Sequence, residues 1–308
     1  MRFFSQSLAI NKRLKSPSPG FRKRRVFFFY CISLIILIIT IYGQTYHFDT
    51  ALFEENAAIK YSFEGITINN IKIIFSQPVG TLWLPIPFLA CLVDTELFGA
   101  APGPRHLINV FFHILSTILL FIIFSRTTGE IKKSGFLAAL FAVHPLNVEP
   151  VAWIALHESA LSQFFIMMGL LTYTHYAAAP DKKKYIILLS FYLLGLMSHP
   201  RNIMFPFLLF LFDYWPLKRF LFLSKKSERL HLSLNTKSPP ISIIYCVKEK
   251  LPILIIALLW VTCSFYYYTQ TDFYQLSSAA FKLNFSILSQ LAFAIVSYAT
   301  YIVKIFLP

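Results

Sequence analysis

Long apolar runs separated by short polar segments dominate the chain. The runs cover residues 26–43, 107–124, 134–143, 157–178, 185–199, 202–215, 251–268 and 287–307. Most approach the roughly 17–25 residues that a helix needs to cross a bilayer. They are uniformly apolar, whereas β-barrel strands alternate apolar and polar positions over about ten residues. The pattern predicts an all-α, polytopic membrane helix bundle of about eight spans. The run at 134–143 reaches full length only by continuing through His144-Pro145 towards Trp153. Proline is tolerated there when neighbouring groups satisfy the freed backbone.

The segment 44–104 is too mixed to span. Its apolar parts, 66–75 and 82–93, are short or interrupted by proline and predict helices lying at the membrane surface. Residues 1–25 form a basic N-terminal region ahead of a membrane domain at 26–308. Residues 216–250, polar around Pro239-Pro240, read as a long loop.

Composition agrees with this picture: 56% of the residues are hydrophobic and only 14% charged. A net charge of +14 raises the possibility of nucleic acid, but the placement of the charge argues against it. Basic residues gather before the first span, at Arg126, Lys132 and Lys133, at Lys182–Lys184, and through 216–250. With a cytoplasmic N-terminus these segments all lie inside, as the positive-inside rule requires. Only Lys60, Lys72, Arg105, Arg201 and Lys282 fall outside, with Lys304 in the last span. The segment 44–104 is then a first extracytoplasmic loop. The carboxylates Asp49, Glu54, Glu55, Glu64, Asp94, Glu96, Glu149, Glu158 and Asp272 share that outer side. Either a solvated loop or a reaction site there explains them. The composition fits a bacterial inner membrane, or the ER membrane in a eukaryote. Cys31, Cys91, Cys246 and Cys263 form no C-x-x-C pair, and the three in or beside apolar segments read as small hydrophobes. No histidine–carboxylate cluster has metal-ligand spacing, and no cofactor is implied.

The stretch ALFAVHPLNVEPVAW (139–153) places His144, Asn147, Glu149 and Trp153 between two prolines at the outer surface. The plainest account is a re-entrant turn, capped and solvated by Asn147 and Glu149, with Trp153 in the interfacial aromatic belt. Polar groups at membrane depth are also functional candidates. Arg201, just after a helix break, is the best placed outer cation for a phosphate, followed by His199, Arg105 and His157. His106 and His113, seven residues apart, read as polar contacts between helices. Asp213 reads as structural, a cap or an ion pair with Lys218 or Arg219.

Four segments in order, TINNIKIIFSQPVGTLWLPIPFLACLVDTELFG (67–99), PRHLINVFFHILSTILLF (104–121), ALFAVHPLNVEPVAW and GLMSHPRNIMFPFLLFLFDYWPL (195–217), resemble one family. It is the membrane part of the transmembrane-and-tetratricopeptide O-mannosyltransferases, within the C-type glycosyltransferases. SYATYIVKIFLP (297–308) is similar to a family segment that continues into further helices and repeats, which implies a C-terminally incomplete chain. The resemblance implies a polyprenyl- or dolichyl-phosphate sugar donor, commonly mannose, used on the extracytoplasmic face with a protein hydroxyl as acceptor. It implies a general base in the first outer loop, which maps to Asp49, with Glu149 as a second catalytic candidate. Arg201, His199 and Arg105 would take the donor phosphate, and His144, Asn147, His157, Trp83 and Asp94 would support the site. Several positions depart from the family pattern: Thr50 replaces a second acid, Leu84 a histidine, and 156–159 has lost two cations. A catalytically degenerate scaffold, or a transporter of a lipid-linked substrate, therefore stays open beside the transferase.

Overall fold

The computed structural model describes residues 19–49, 66–76, 83–99, 101–220, 242–269 and 287–306. The first eighteen residues, Thr50, the acidic stretch 51–65 and most of the expected 216–250 loop lie outside the described residues. Eleven α-helices run through the described residues.

Helix α1 (Pro19–Tyr42) leads into a 3-10 turn at Gly43–His47. Two helices of the predicted surface type follow, α2 (Ile68–Ser76) and α3 (Pro85–Phe98). Nine and 14 residues long, they are too short to cross. Helix α4 (Pro102–Thr128) is the hub. It packs against α1, the 3-10 turn, α5 (Ile131–Val143), the short α6 (Val148–Ala152) and α7 (His157–Ala178). Gly103 near its start allows this: a Cβ there would sit 2.5 Å from the Tyr46 carbonyl oxygen. Its far end closes on Gly129, whose φ of 75° suits a residue without a side chain.

Helix α8 (Lys182–Leu196) lies along α7. A 3-10 turn at Pro200–Met204 leads to α9 (Phe205–Tyr214), followed by α10 (Ile243–Thr269) and α11 (Ile287–Phe306). The largest core gathers Leu170, Tyr192, Phe205, Leu209, Ile253 and Trp260 from α7–α10. A second, around Ile38, Val110, Ala142 and Val151, joins α1, α4, α5 and α6. Outward faces remain apolar, as at Phe28, Phe29, Ile32 and Ile36 along α1. A bilayer, not water, is the solvent for such a surface.

Among the described residues four helical segments are long and apolar enough to cross: Arg24–His47, Pro102–Thr128, Ile154–Ala178 and Ile243–Thr269. Ile131–Val143 with Pro145–Ala152 makes a fifth if the pair, bent by 54°, counts as one. Among the described residues the count is thus four or five, and eight are not shown. Helices α8 and α9 have only 15 and 10 residues, about 22 and 15 Å of rise. The cause is local: Pro145 and Pro200 end the helices before them, and Pro180 separates α7 from α8.

At the end of the bundle away from the first loop lies a buried charge cluster. Arg219 bonds Asp213 at 3.0 Å and Glu249 at 2.9 Å. Lys250 reaches Asp213 at 2.5 Å and Glu249 at 3.2 Å. The Tyr173 hydroxyl receives from both cations, at 2.7 and 2.9 Å, and donates to Asp213. Asp213 thus has Arg219 among the partners expected for it. Cys246 also donates its thiol to Asp213, at 2.9 Å. Two cations balance two carboxylates, so the cluster is neutral while complete. Removing one member leaves an uncompensated buried charge, which costs about 3–5 kcal/mol. Asp213→Ala is expected to lower thermal stability in detergent by that order, read by fluorescence-detected size exclusion. A loss under about 1 kcal/mol would show that the cluster does not hold α7, α9 and α10 together.

Candidate functional site

Two helices, α5 and α8, run towards the first-loop end and break there on the same four-residue pattern. His144-Pro145-Leu146-Asn147 ends α5, and His199-Pro200-Arg201-Asn202 follows α8. In each, the histidine Nδ1 accepts from the backbone N–H two residues on, from Leu146 at 3.2 Å and from Arg201 at 3.1 Å. In each, the asparagine side chain turns back to a carbonyl near the helix end: that of Phe141 has lost its i+4 donor to Pro145, while that of Gly195 still accepts the His199 N–H at 3.0 Å. Asn147 Nδ2 donates to the Phe141 oxygen at 2.6 Å, and Asn202 Nδ2 to the Gly195 oxygen at 2.6 Å. Pro145 has no N–H to offer Phe141, and the Leu146 N–H that Ala142 would receive is taken by His144. The Ala142 oxygen is met instead by His113 Nε2 of α4, at 3.0 Å. Asn147 is thus a cap of the kind expected, and His113 is the predicted contact between helices. The recurrence of His-Pro-x-Asn at 144 and 199 is the signal that a search for longer repeats passes over.

These breaks set the geometry of the first turn of α7. Its N-cap, Leu156, offers no side-chain hydrogen bond to the early N–H groups of this 22-residue helix; the His157 N–H bonds the Ile154 oxygen instead. Glu158 takes another of them, accepting from its own backbone N–H. Arg201 lies against this turn, Nη2 donating to Ser159 Oγ at 2.8 Å, and Glu158 attracts it. Asn202 ties the same break to α7 through Ser162 Oγ at 2.8 Å. His199, half-buried, accepts through Nδ1, so Nε2 carries the hydrogen of the neutral ring. Burial, and then the neighbouring Arg201, push its pKa down to about 4 and keep it neutral at physiological pH.

The other side of the turn faces α3 and α4. His157 Nδ1 lies 2.7 Å from Asn109 Oδ1, and Asn109 Nδ2 donates to the Trp153 oxygen at 2.9 Å. His157 Nε2 lies 3.8 Å from Asp94 Oδ2, and both side chains are mostly buried. Arg105 of α4 donates to Thr95 at 2.7 Å, next to Asp94. Burial pushes the Asp94 carboxyl up to about 6, with Arg105 working against it.

Of the residues singled out from the sequence, Asp94, Arg105 and His157 therefore meet, and Arg201 and His199 share the adjoining break. His144 and Asn147 serve the α5 break. Asp49 and Glu149 are exposed. Asp49 follows the 3-10 turn that packs on the start of α4, with the Phe48 ring 5.9 Å from that of His106. Glu149 stands in the first turn of α6. Trp83 stacks on Tyr267 at 5.0 Å, at the first-loop end of α10. Asn109 and Ser159, both essential to this arrangement, were not singled out; a small polar residue inside an apolar run is the only trace they leave.

The fold and this polar end define a helical membrane protein. Comparison with known proteins narrows the field. Over 97 residues, 32% of this chain, it is 29% identical to human "Protein O-mannosyl-transferase TMTC3", and the mouse protein of the same name matches at 30%. Mouse "Protein O-mannosyl-transferase TMTC1" is 31% identical over 90 residues, 29% of this chain. In each case the match spans about a tenth of the relative's length. No family model matches the chain, and no solved structure does.

The folded state binds the Asp94 proton more tightly than the unfolded chain, whose carboxyl titrates at 3.8. Stability from this group is therefore full below about pH 4 and is lost as pH rises through 6. Wild type minus Asp94→Asn, measured as unfolding free energy in detergent, is expected to fall by about 2–3 kcal/mol over that interval. A flat difference would contradict the burial of this carboxyl.

Proposed function

We propose that this chain is a membrane glycosyltransferase. It moves a sugar, mannose in the first instance, from a polyprenyl or dolichyl phosphate to a hydroxyl acceptor, most directly one on a protein. The reaction takes place on the extracytoplasmic or lumenal face, which is the first-loop end of the bundle. The similarity to the two named O-mannosyltransferases supports the reaction class. The observation that carries the reading is Arg201 seated on Ser159 at the uncapped first turn of α7. A guanidinium beside a helix N-terminus is a phosphate site in chemical terms, and a lipid-borne phosphate reaches this depth without leaving the membrane. His199 Nε2–H supplies a neutral donor beside it, and Arg105 a further cation on the same face.

Transfer to a hydroxyl also needs a proton acceptor, and negative charge near the anomeric carbon stabilises its oxocarbenium character. The resemblance assigns that part to Asp49, with Glu149 second. Exposure of both favours one alternative, a non-catalytic relative acting as a scaffold. The assay separates the two. Membranes bearing the protein are expected to transfer label from polyprenyl-phosphate mannose to an acceptor peptide. Arg201→Ala is expected to lower kcat/KM about ten- to hundredfold, the loss of one charge-assisted hydrogen bond. Absence of transfer from every lipid-linked sugar tried would favour the scaffold.

A further inference from the structure

We infer that Asp94, backed by His157, is the group that takes the proton from the incoming hydroxyl, in place of the exposed Asp49. This rests on the transferase reading above and adds to it the residue that performs the acid–base step.

Asn109 fixes the tautomer of His157. Its Nδ2 is committed to the Trp153 oxygen, so its Oδ1 faces His157 as an acceptor. His157 must then carry its hydrogen on Nδ1, and the lone pair of the neutral ring sits on Nε2. That lone pair is enclosed, has no hydrogen-bond partner, and points towards Asp94 Oδ2 at 3.8 Å. Two acceptors therefore face each other across a gap too wide for a direct hydrogen bond. A hydroxyl at the open edge of Asp94 can reach its carboxylate, with His157 Nε2 enclosed behind it. Asp94 and His157 are about 16% and 14% exposed, so the pair sits at the edge of the bundle and not at its centre.

Charge around the pair is defined by each element packed on α3. Helix α4 contributes Arg105, held by Thr95. Helix α7 contributes His157. Helix α2 has one titratable residue, Lys72, which is exposed. Cys91 lies one turn back on α3 itself, its own titration sensitive to Asp94 and Arg105. In this setting burial leaves the Asp94 carboxyl titrating near neutrality, where a general base works best. The same first turn of α7 holds Arg201 through Ser159, two residues beyond His157. The partners of proton acceptor and phosphate cation, His157 and Ser159, thus stand on one turn of one helix.

The step balances as follows. The acceptor O–H bond breaks and its proton goes to the Asp94 carboxylate. The freed oxygen pair forms the bond to the anomeric carbon. The bond from that carbon to phosphate breaks, and its electron pair leaves on the lipid phosphate beside Arg201.

The test is a pH–rate profile for transfer from polyprenyl-phosphate mannose, in detergent-purified full-length protein. Monodispersity and thermal unfolding are checked for every variant. Wild type is expected to rise through about pH 6 and level off. Asp94→Asn is expected to lose a hundredfold or more of the rate, together with the rising limb. Asp94→Glu is expected to recover part of the rate, and His157→Gln to move the limb. Asp49→Asn is expected to keep the rising limb. Loss of rate in Asp94→Asn with the limb intact would mark a structural residue and overturn the inference. So would loss of rate and limb in Asp49→Asn with Asp94→Asn unaffected. Wild type that transfers nothing would overturn the transferase reading beneath it, an outcome distinct from either.

Discussion

A backbone carbonyl that loses its helical N–H inside a hydrocarbon layer has no water to replace it. That constraint organises this protein. Two helices stop at prolines near the first-loop end, and the freed carbonyls must be met by side chains close at hand. Asn147 and His113 meet two of them at the α5 break, and at the α8 break Asn202 adds its bond to a Gly195 oxygen that already accepts the His199 N–H. Each of these side chains is held at a helix-breaking turn or on the hub helix α4. Satisfying the backbone therefore also fixes the breaks relative to α4 and α7. The polar groups at the membrane surface come second in this order of causes. Arg201 stands where it does because Pro200 and Asn202 hold its turn against α7.

The two breaks also bear on what kind of machine this is. Both lie at the same end, because α5 and α8 run in the same direction. A transporter built on inverted repeats would put matching breaks in oppositely directed segments, near the middle of the membrane. Here the ionisable groups separate into two places. At one end a complete, neutral, fully buried cluster joins α7, α9 and α10. At the other, Asp94, His157 and Arg201 are partly open, and one ring nitrogen is left without a partner. The closed cluster is the work of structure, and the open one has chemistry to spare.

Much of this was legible in the residues. Apolar runs gave a helical membrane bundle, the mixed segment gave short helices, and His144-Pro145 gave a break where Asn147 meets a carbonyl. The number of spans is less plain, with four or five candidates among the described residues. Hydropathy measures how apolar a segment is, and 185–199 and 202–215 are apolar enough. It does not register that the proline breaks leave helices of 15 and 10 residues. The charge cluster was half legible: Arg219 lies six residues from Asp213, but Glu249, Lys250 and Tyr173 come from 30 to 40 residues away. At the site, cations beside breaks could be found because charge is rare in this chain. Asn109 could not, since one asparagine in an apolar helix gives no hint of the two groups it will bridge.

The central claim is that the first turn of α7, with Arg201 upon it, is where a lipid phosphate rests. Its most direct test is the structure of the full-length protein in a lipid nanodisc with a polyprenyl phosphate, solved by electron microscopy with a bound antibody fragment for mass. The account predicts phosphate density in contact with the Arg201 guanidinium and the first backbone N–H groups of α7, with Asp94 and His157 on the flank of the same turn. A phosphate bound elsewhere, with Arg201 turned out to the lipid headgroups, would contradict it.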